Sequence, residues 1–297
     1  MPNTRDIRRR IKSVKNTAQI TKAMQLVAAS KMKRAQDQAL SGRHYADLLN
    51  KVLVNLKEYS LDETHDLLEA RGEGREIVVV VSADKGLCGA LNTNLLRRVV
   101  RESGENAGYV TIGAKGRRTL GRLRRDLLAD FSVADPVDFV AVKMVSKFVR
   151  ERFLAGECTR VRVAFTNFIN TLQQAPYFET LLPVSPVALG ARREFEGIGT
   201  AEEGTGKETV PDSGYIFEPS PQKVFDQVVP QYIDFLLYQM VLEARASEHS
   251  ARMVAMKSAT DNANQLIKDL TLEYNKVRQA SITAELLEIS TAQMALG

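Results

Sequence analysis

A long stretch without glycine or proline constrains this chain more than any other feature, and it runs from Gln231 to Leu296. Small, apolar and a few polar residues recur along it at alternating steps of three and four, which is the heptad pattern of a helix with one buried seam. These positions are Gln239, Leu242, Ala246, His249, Met253, Met256, Thr260, Ala263, Ile267, Leu270, Tyr274 and Val277. A helix of this length, at about 1.5 Å per residue, spans about 100 Å, which is longer than a globular domain needs. We therefore expect it to pair with a partner along most of its length.

The first part of the chain, from Arg5 to Lys57, repeats this alternation and supplies the partner. Its seam positions are Ile7, Ile11, Val14, Ala18, Thr21, Gln25, Ala28, Met32, Ala35, Ala39, Ala46, Leu49, Leu53 and Leu56. Alanine at mid-seam lets two helices approach closely, and methionine fills irregular gaps. The pattern predicts an antiparallel coiled coil of an N-terminal helix (residues 1–58) and a C-terminal helix (residues 220–297), with the intervening residues inserted at one end.

Apolar residues also lie outside this seam or continue past the end of an antiparallel partner. They are Ile20, Met24 and Val27 in the first helix and Ile282, Leu286, Ile289 and Leu296 in the last. An apolar stripe left in water is an aggregation hazard. We therefore expect these residues to contact something outside this chain.

The middle of the chain, residues 75–218, has the pattern of an α/β domain. Strands are predicted at 76–82, 108–113, 160–166 and 215–218, and helices at 92–103, 115–124 and 137–154. The β-branched run at 76–82 is typical of a buried strand, whereas the alternation at 160–166 predicts a half-exposed one. Strands that alternate with helices favour a Rossmann-like parallel sheet. Residues from about 190 to 213 are rich in Gly, Glu and Thr, which predicts a mobile loop.

Charge is unevenly distributed, and it leaves a second function open. Residues 1–57 hold 13 Lys and Arg against 3 Asp, a net charge of +10, whereas the whole chain carries +5. Such a basic helix is usually a solvated face, but it also fits a nucleic-acid-binding coiled coil. Phosphate tracking uses interleaved aromatic side chains, and this region offers only Tyr45 and Tyr59. Nucleic acid binding therefore remains the alternative rather than the main hypothesis.

Little in the sequence points to catalysis, a cofactor or a metal. The segment Asp84-Lys85-Gly86-Leu87-Cys88-Gly89 lies between a strand and a helix, but it lacks the spacing of a phosphate-binding loop. We interpret it as a structural turn, and a nucleotide-dependent enzyme would rest on this turn alone. The chain has two cysteines and three histidines without metal-ligand spacing, which fits a reducing compartment. No apolar run reaches the length of a membrane span and no secretory signal is evident, so direct membrane insertion is not expected.

Specific residues at both ends then resemble a known family. The N-terminal ones are Ile7-Arg8-Arg9-Arg10-Ile11-Lys12-Ser13-Val14-Lys15-Asn16-Thr17, Ile20-Thr21-Lys22-Ala23-Met24, Val27-Ala28-Ala29 and Lys31-Met32, followed later by Gly86-Leu87-Cys88-Gly89 and Asn92. The C-terminal ones are Ala246-Ser247-Glu248, Ala251-Arg252-Met253, Met256, Ala259-Thr260-Asp261-Asn262-Ala263, Tyr274-Asn275, Arg278-Gln279-Ala280-Ser281-Ile282-Thr283, Glu285 and Glu288-Ile289. This pattern resembles the gamma subunit of bacterial F-type ATP synthase over nearly the whole chain.

The resemblance implies a central rotor shaft that couples rotation of the c ring to conformational cycling of the catalytic beta subunits. ATP is made on the beta subunits, so it implies a subunit without catalytic residues, cofactor or metal. The implied partners are the alpha, beta and epsilon subunits and the c ring, on the cytoplasmic face of the bacterial inner membrane. Nucleic acid is not among them.

The resemblance also implies which residues make these contacts. Those on the shaft that face the alpha and beta subunits are Lys22, Met24, Arg252, Gln279, Ile282, Thr283, Leu286 and Ile289. Those on the foot that face the epsilon subunit and the c ring are Tyr215, Phe217 and Glu218. We expect the apolar tip to act as a bearing, with the polar contacts that carry torque near Arg252, Gln279 and Thr283.

Overall fold

The structure, a computed structural model, describes residues 4–42, 45, 48–49, 52, 66–69, 71–72, 74–184 and 217–296. Its helices and strands in chain order are α1 (Thr4–Ser41), β1 (Glu76–Val81), α2 (Leu91–Glu102), β2 (Gly108–Ile112), α3 (Ala114–Arg122), β3 (Asp126–Phe131), α4 (Phe139–Leu154), β4 (Arg160–Phe168), β5 (Gln174–Leu182) and α5 (Pro221–Leu296). The expected loop at about 190–213 and the foot residue Tyr215 lie outside the described residues.

Two compact units divide the chain, and the first consists of Met1–Ala28 and Arg252–Gly297. Within it α1 and α5 run antiparallel, because Arg8 Nη2 donates to the Tyr274 hydroxyl at 2.6 Å while the hydroxyls of Thr21 and Thr260 lie 2.7 Å apart. The buried residues of this unit are Ile7, Ala18, Thr21 and Ala28 in α1 and Met256, Thr260, Ala263 and Leu270 in α5. All of them occupy seam positions, so the antiparallel pairing that the heptad pattern predicts is confirmed in this unit.

The second unit, Ala29–Ala251, contains a five-stranded sheet in the order β3-β2-β1-β4-β5. β1 pairs in parallel with β2 and β4, and β2 pairs in parallel with β3. β5 joins β4 in the antiparallel direction. All six residues of β1 are buried, as expected for a central strand that is covered on both faces. The predicted α/β domain, inserted in the sequence between two helices, is therefore confirmed.

The sheet differs from the sequence prediction in three respects. The residue pattern does not predict β3 or β5, which form its two edges. β4 is buried at most of its positions rather than half exposed, because its residues enter the cores on both faces of the sheet, Val163 on one face and Ala164 on the other. The predicted strand at 215–218 is wrong for its described residues, since Phe217 and Glu218 lie in no strand. Pro219 and Pro221 follow directly, and proline has no N–H to donate to a sheet.

Apolar cores cover both faces of the sheet. On one face Val78 of β1 packs with Leu95 of α2. On the other face Val79 of β1 belongs to a larger core that includes Val145 of α4 and Leu237 of α5. Alternate residues of one strand point to opposite faces, so β1 contributes to both cores. The parts of α1 and α5 in this unit therefore pack on the α/β domain as one of its layers.

One segment of α5 in the second unit, residues 239–250, is buried around its whole circumference. Ser220 caps the start of the helix by accepting a hydrogen bond from the N–H of Lys223 at 3.4 Å. Every residue from 239 to 250 is buried, although the heptad pattern predicts only one buried stripe. Contacts such as Ser247 Oγ to the Thr166 carbonyl oxygen, at 2.9 Å, cover the remaining faces. The sequence therefore reveals the buried seam of this helix but not the burial of its other faces.

Candidate functional site

The C-terminal end of α5 carries an apolar stripe that the described chain does not cover. Every residue from 278 to 294 is exposed. Ile282 is 48% exposed, Leu286 62% and Ile289 63%. Steps of four and three place these three side chains on one side of the helix. Leu296 also belongs to α5, but its side chain lies outside the described part of the chain.

The register of the coiled coil explains where this free end begins. Arg8 of α1 lies opposite Tyr274 of α5, and α1 begins at Thr4, one helical turn before Arg8. Because the two helices are antiparallel, the start of α1 lies about one turn beyond Tyr274 along α5. The free apolar end is therefore a consequence of unequal helix lengths, as the sequence pattern predicts. At the base of the free end, the Arg8 guanidinium lies 5.4 Å from the centre of the Tyr274 ring and stabilises the helix pairing there.

The polar residues assigned to the shaft lie at different places on the two helices. Gln279 and Thr283 belong to the free end of α5 and are adjacent there, since Thr283 Oγ1 donates to the Gln279 carbonyl oxygen at 2.9 Å. Lys22 is exposed on α1 and its Nζ donates to Gln25 Oε1 at 3.3 Å. Met24 and Arg252 are half-buried. The structure thus brings Gln279 and Thr283 together with the apolar stripe.

The foot residues are only partly described. Phe217 is half-buried and packs against the main core of the second unit. Glu218 is exposed next to it, just before α5 begins. Phe217 is thus positioned to anchor this segment, whereas Glu218 presents a carboxylate to solvent.

The turn between β1 and α2 is held by contacts within the chain. Asp84 Oδ1 accepts a hydrogen bond from the Ala114 N–H at 3.0 Å, so its carboxylate lies at the N-terminus of α3. Asn92 Oδ1 accepts from the Ala83 N–H at 3.0 Å. Leu87 has a positive φ of 62°. The N–H groups of Ala83 and Ala114 are thus already hydrogen-bonded to side chains of this turn and of α2, which supports the structural interpretation.

Sequence reasoning missed a buried charged cluster on α5. Arg245 Nη1 donates to Glu248 Oε2 at 2.9 Å, and its Nη2 donates to Asp84 Oδ2 at 3.2 Å and to the Val133 carbonyl oxygen at 2.8 Å. Burial lowers the pKa of Arg245, but the carboxylates of Glu248 and Asp84 outweigh it and raise that pKa. The signal in the sequence is the spacing of three between Arg245 and Glu248 on the heptad-patterned helix, because buried charges need partners.

The described residues offer little for metal or thiol chemistry. They contain no group of three or more His, Cys, Asp or Glu side chains that could hold a metal ion. Nor does any helix among them have the length and apolar character needed to cross a membrane. Cys88 and Cys158 are buried and not joined in a disulfide, and burial raises the pKa of the Cys158 thiol to about 11. The strongest candidate site is therefore the exposed contact surface at the free end of α5.

Comparisons with known proteins match nearly the whole chain to one family. The family model described as ATP synthase matches residues 3–296. The ATP synthase gamma chain of Akkermansia muciniphila is 48% identical over 296 residues, which cover 100% of both chains. That of Methylacidiphilum infernorum is 46% identical over 302 aligned positions, also covering 100% of both.

Solved structures share the fold at lower identity. A chain of the Euglena gracilis mitochondrial ATP synthase, from its OSCP/F1/c-ring assembly, has a TM-score of 0.67 at 20% identity and covers 99% of this chain and 94% of its own. A chain of the Tetrahymena thermophila mitochondrial ATP synthase, from its central stalk and c ring, has a TM-score of 0.59 at 24% identity and covers 81% of this chain and 99% of its own.

The fold and the site together define a class: coiled-coil proteins whose two ends pair, with an α/β domain inserted between them in sequence and an exposed apolar stripe at the end of the longer helix. Within that class, the matches at 46% and 48% identity over full length identify the family. The chain belongs to the family of ATP synthase gamma chains.

Proposed function

We propose that this chain is the central rotor shaft of a proton-translocating F-type ATP synthase, coupling rotation of the c ring to the conformational cycle of the catalytic beta subunits. The observation that carries the proposal is the full-length match to curated gamma chains, at 48% identity for one of them. The match includes both helices and the α/β domain. An unrelated coiled coil would share the heptad pattern but not these residues.

The free end of α5 is suited to act as a bearing inside a sleeve of alpha and beta subunits. Ile282, Leu286 and Ile289 are about half exposed or more and share one side of the helix. Hydrophobic contact is non-directional, so an apolar tip can turn in an apolar sleeve without releasing specific partner atoms at each step. Strong hydrogen bonds there would instead create preferred angles.

Polar residues on the helices supply the angle-dependent contacts. In this proposal Arg252, Gln279 and Thr283 of α5 carry torque, and Lys22 and Met24 of α1 also contact the alpha and beta subunits. Charge-assisted hydrogen bonds are directional and hold discrete positions. Their support here is the family match and the exposure of Lys22, Gln279 and Thr283.

At the foot, Tyr215, Phe217 and Glu218 are proposed to meet the epsilon subunit and the c ring. The half-buried ring of Phe217 fixes the segment on the α/β domain, and the exposed carboxylate of Glu218 is free to set the register of a contact. In this proposal the chain lies peripherally on the cytoplasmic face of the bacterial inner membrane. It transmits motion and has no catalytic residue of its own.

Co-purification tests the proposal. The tagged chain is expressed with the alpha, beta and epsilon subunits encoded in the same genome, and the complex is isolated through the tag. We expect all three partners to elute with it in one assembly. Assembly of alpha and beta without this chain, while the tagged chain elutes alone, would contradict the proposal.

A further inference from the structure

One short loop receives polar contacts from both long helices. It consists of residues 132–138, between β3 and α4, and is named here the junction loop. From α1, Lys31 Nζ lies 2.6 Å from Asp135 Oδ2, and Gln38 Nε2 donates to the Val137 carbonyl oxygen at 2.9 Å. These two contacts lie two helical turns apart on α1. They therefore resist rotation of α1 as well as its translation.

The contacts from α5 meet the same loop. Arg245 Nη2 donates to the Val133 carbonyl oxygen at 2.8 Å, and His249 Nε2 lies 3.2 Å from Asp135 Oδ2. Asp135 is thus shared between α1 and α5. The valines at 133 and 137 are buried in the core, so the loop itself is held in place.

The side chains that reach the loop from α5 are also tied to the rest of the α/β domain. Arg245 is 4% exposed and its guanidinium also binds Glu248 and Asp84. Asp84 in turn accepts a hydrogen bond from Ala114 at the start of α3. The contacts to the junction loop thus continue through α5 to a second element of the domain.

Burying charges in this way adds little to stability, because desolvation offsets most of the attraction. Well-packed apolar side chains would hold the layers together at least as well. An apolar contact, however, has no directional preference, so a small relative rotation of two packed surfaces costs it little. Hydrogen-bonded charges hold one relative angle, because a rotation breaks several of them at once. The polar contacts therefore supply angular rigidity.

We propose that the junction loop is the torsional joint between the α/β domain and both long helices, with Lys31, Asp135 and Arg245 as its positioning residues. The inference rests on the proposed function, since angular rigidity matters when torque passes between the domain and the helices. Coupling between distant parts of a protein is carried by such hydrogen-bonded networks on rigid elements. The joint lies entirely within the second unit, Ala29–Ala251.

The test measures angular stiffness in the assembled complex. Alpha and beta subunits are immobilised, and a bead is attached to an introduced cysteine, Glu105→Cys, at an exposed position of the α/β domain. The variants are Lys31→Met and Asp135→Asn. The matched controls are Lys33→Met and Asp37→Asn, since that pair is 2.9 Å apart, exposed and confined to α1.

We expect the angular variance of the bead at rest to rise roughly twofold in Asp135→Asn, because this loop residue faces both Lys31 of α1 and His249 of α5. Lys31→Met should show a smaller rise, and both controls should match the parent. Equal variance in all variants, with assembly and rotation intact, would overturn the inference and leave the proposed function standing.

Loss of assembly in Lys31→Met but not in Lys33→Met would also overturn it, because the loop would then be a folding element. Lys31 has 42% of its side chain exposed, so the substitution is a mild one. Failure of the parent chain itself to assemble with alpha and beta would instead count against the proposed function.

Discussion

Single residues decide the register of the coiled coil in the first unit. The Thr21 and Thr260 hydroxyls lie 2.7 Å apart on the seam, between positions otherwise filled by small or apolar side chains. Each hydroxyl also lies near a carbonyl of its own helix, Ala18 at 3.1 Å and Met256 at 2.8 Å. A buried polar pair at a seam position specifies which residues face each other, at some cost in stability.

A double-mutant cycle measures how much the interaction between the Thr21 and Thr260 hydroxyls stabilises the coiled coil. Thr21→Val or Thr260→Val alone should lower the free energy of unfolding by about 1 kcal/mol, because one buried hydroxyl loses its partner across the seam. The double variant should be close to the parent, since both polar groups are replaced by similar apolar shapes. Urea unfolding followed by circular dichroism gives all four values. Simple additivity of the two losses would show that the hydroxyls do not interact.

The thiol of Cys158 should be unreactive in the folded chain. Its side chain is buried, and burial raises its pKa to about 11. At pH 8 only about one molecule in a thousand then carries the reactive thiolate. We expect iodoacetamide to leave Cys158 unmodified in the native protein and to modify it rapidly in urea, as read by peptide mass spectrometry. Equal labelling in both conditions would show that the thiol is exposed.

Asp135 gives the chain a pH-dependent contribution to stability. Burial raises the pKa of this carboxyl, but the hydrogen bond from Lys31 and the nearby His249 and Arg245 outweigh it and hold the pKa below its usual range. A depressed pKa in the folded state means that the ionised carboxylate stabilises the fold above the unfolded value of about 3.9. That contribution is lost as the pH falls through the lower folded value.

Asp135→Asn should therefore reduce the melting temperature more at pH 6 than at pH 3. The asparagine side chain does not titrate, so the difference from the parent narrows as the parent carboxylate becomes protonated. Thermal unfolding across this range measures it, with Asp37→Asn as the exposed control. A difference that stays constant from pH 6 to pH 3 would contradict the assigned pKa direction.

At the scale of elements, the sequence predicts the helices better than the sheet. The seam of α1 and α5 is evident because the alternation of three and four residues continues over many repeats. The buried residues of the first unit follow this seam. The complete burial of residues 239–250 is not evident, because it depends on the sheet domain packing around the helix. Periodicity reports one buried face and does not report what covers the others.

The two strands that the pattern misses have local reasons. β3, with the sequence Asp-Leu-Leu-Ala-Asp-Phe, is half exposed and has no β-branched residues. β5 contains Pro176, which normally argues against a strand, but β5 is an edge strand and edges tolerate proline. Both become strands through pairing with a neighbour rather than through their own propensity.

The free end of α5 offers a test of the bearing. Leu286 is 62% exposed in the chain and is proposed to enter an apolar sleeve. Leu286→Asp would place an unpaired charge in that sleeve. If the carboxylate stays ionised and buried, its desolvation costs on the order of several kcal/mol. Leu286→Met, close in volume, should be nearly silent, and Leu286→Ala should be intermediate.

The measurement for these three variants is the ATPase rate and the subunit stoichiometry of the reconstituted complex of this chain with alpha and beta. We expect Leu286→Asp to impair assembly or slow turnover the most. Full assembly and equal rates for Asp and Ala would mean that the tip is solvated in the complex, and the bearing would be excluded.

At the scale of the whole molecule, the sequence predicts the free apolar end but not the junction loop. The exposed stripe follows from two helices of unequal length, which a heptad pattern reveals. The loop depends on residues far apart in the chain, such as Lys31, Asp135 and Arg245, and tertiary structure alone brings them together.

The net charge of +10 on residues 1–57 left nucleic acid binding open. Charge alone does not distinguish nucleic acid binding from the role of an ATP synthase gamma chain, whereas the family match does.

The most direct test of the account is rotation itself. Alpha and beta subunits are fixed to a surface with this chain in the complex, a bead is attached to its α/β domain, and ATP is added. The account predicts that the bead turns continuously in one direction and stops when ATP is removed. A catalytic complex that hydrolyses ATP at its full rate while the bead shows only thermal motion would contradict it.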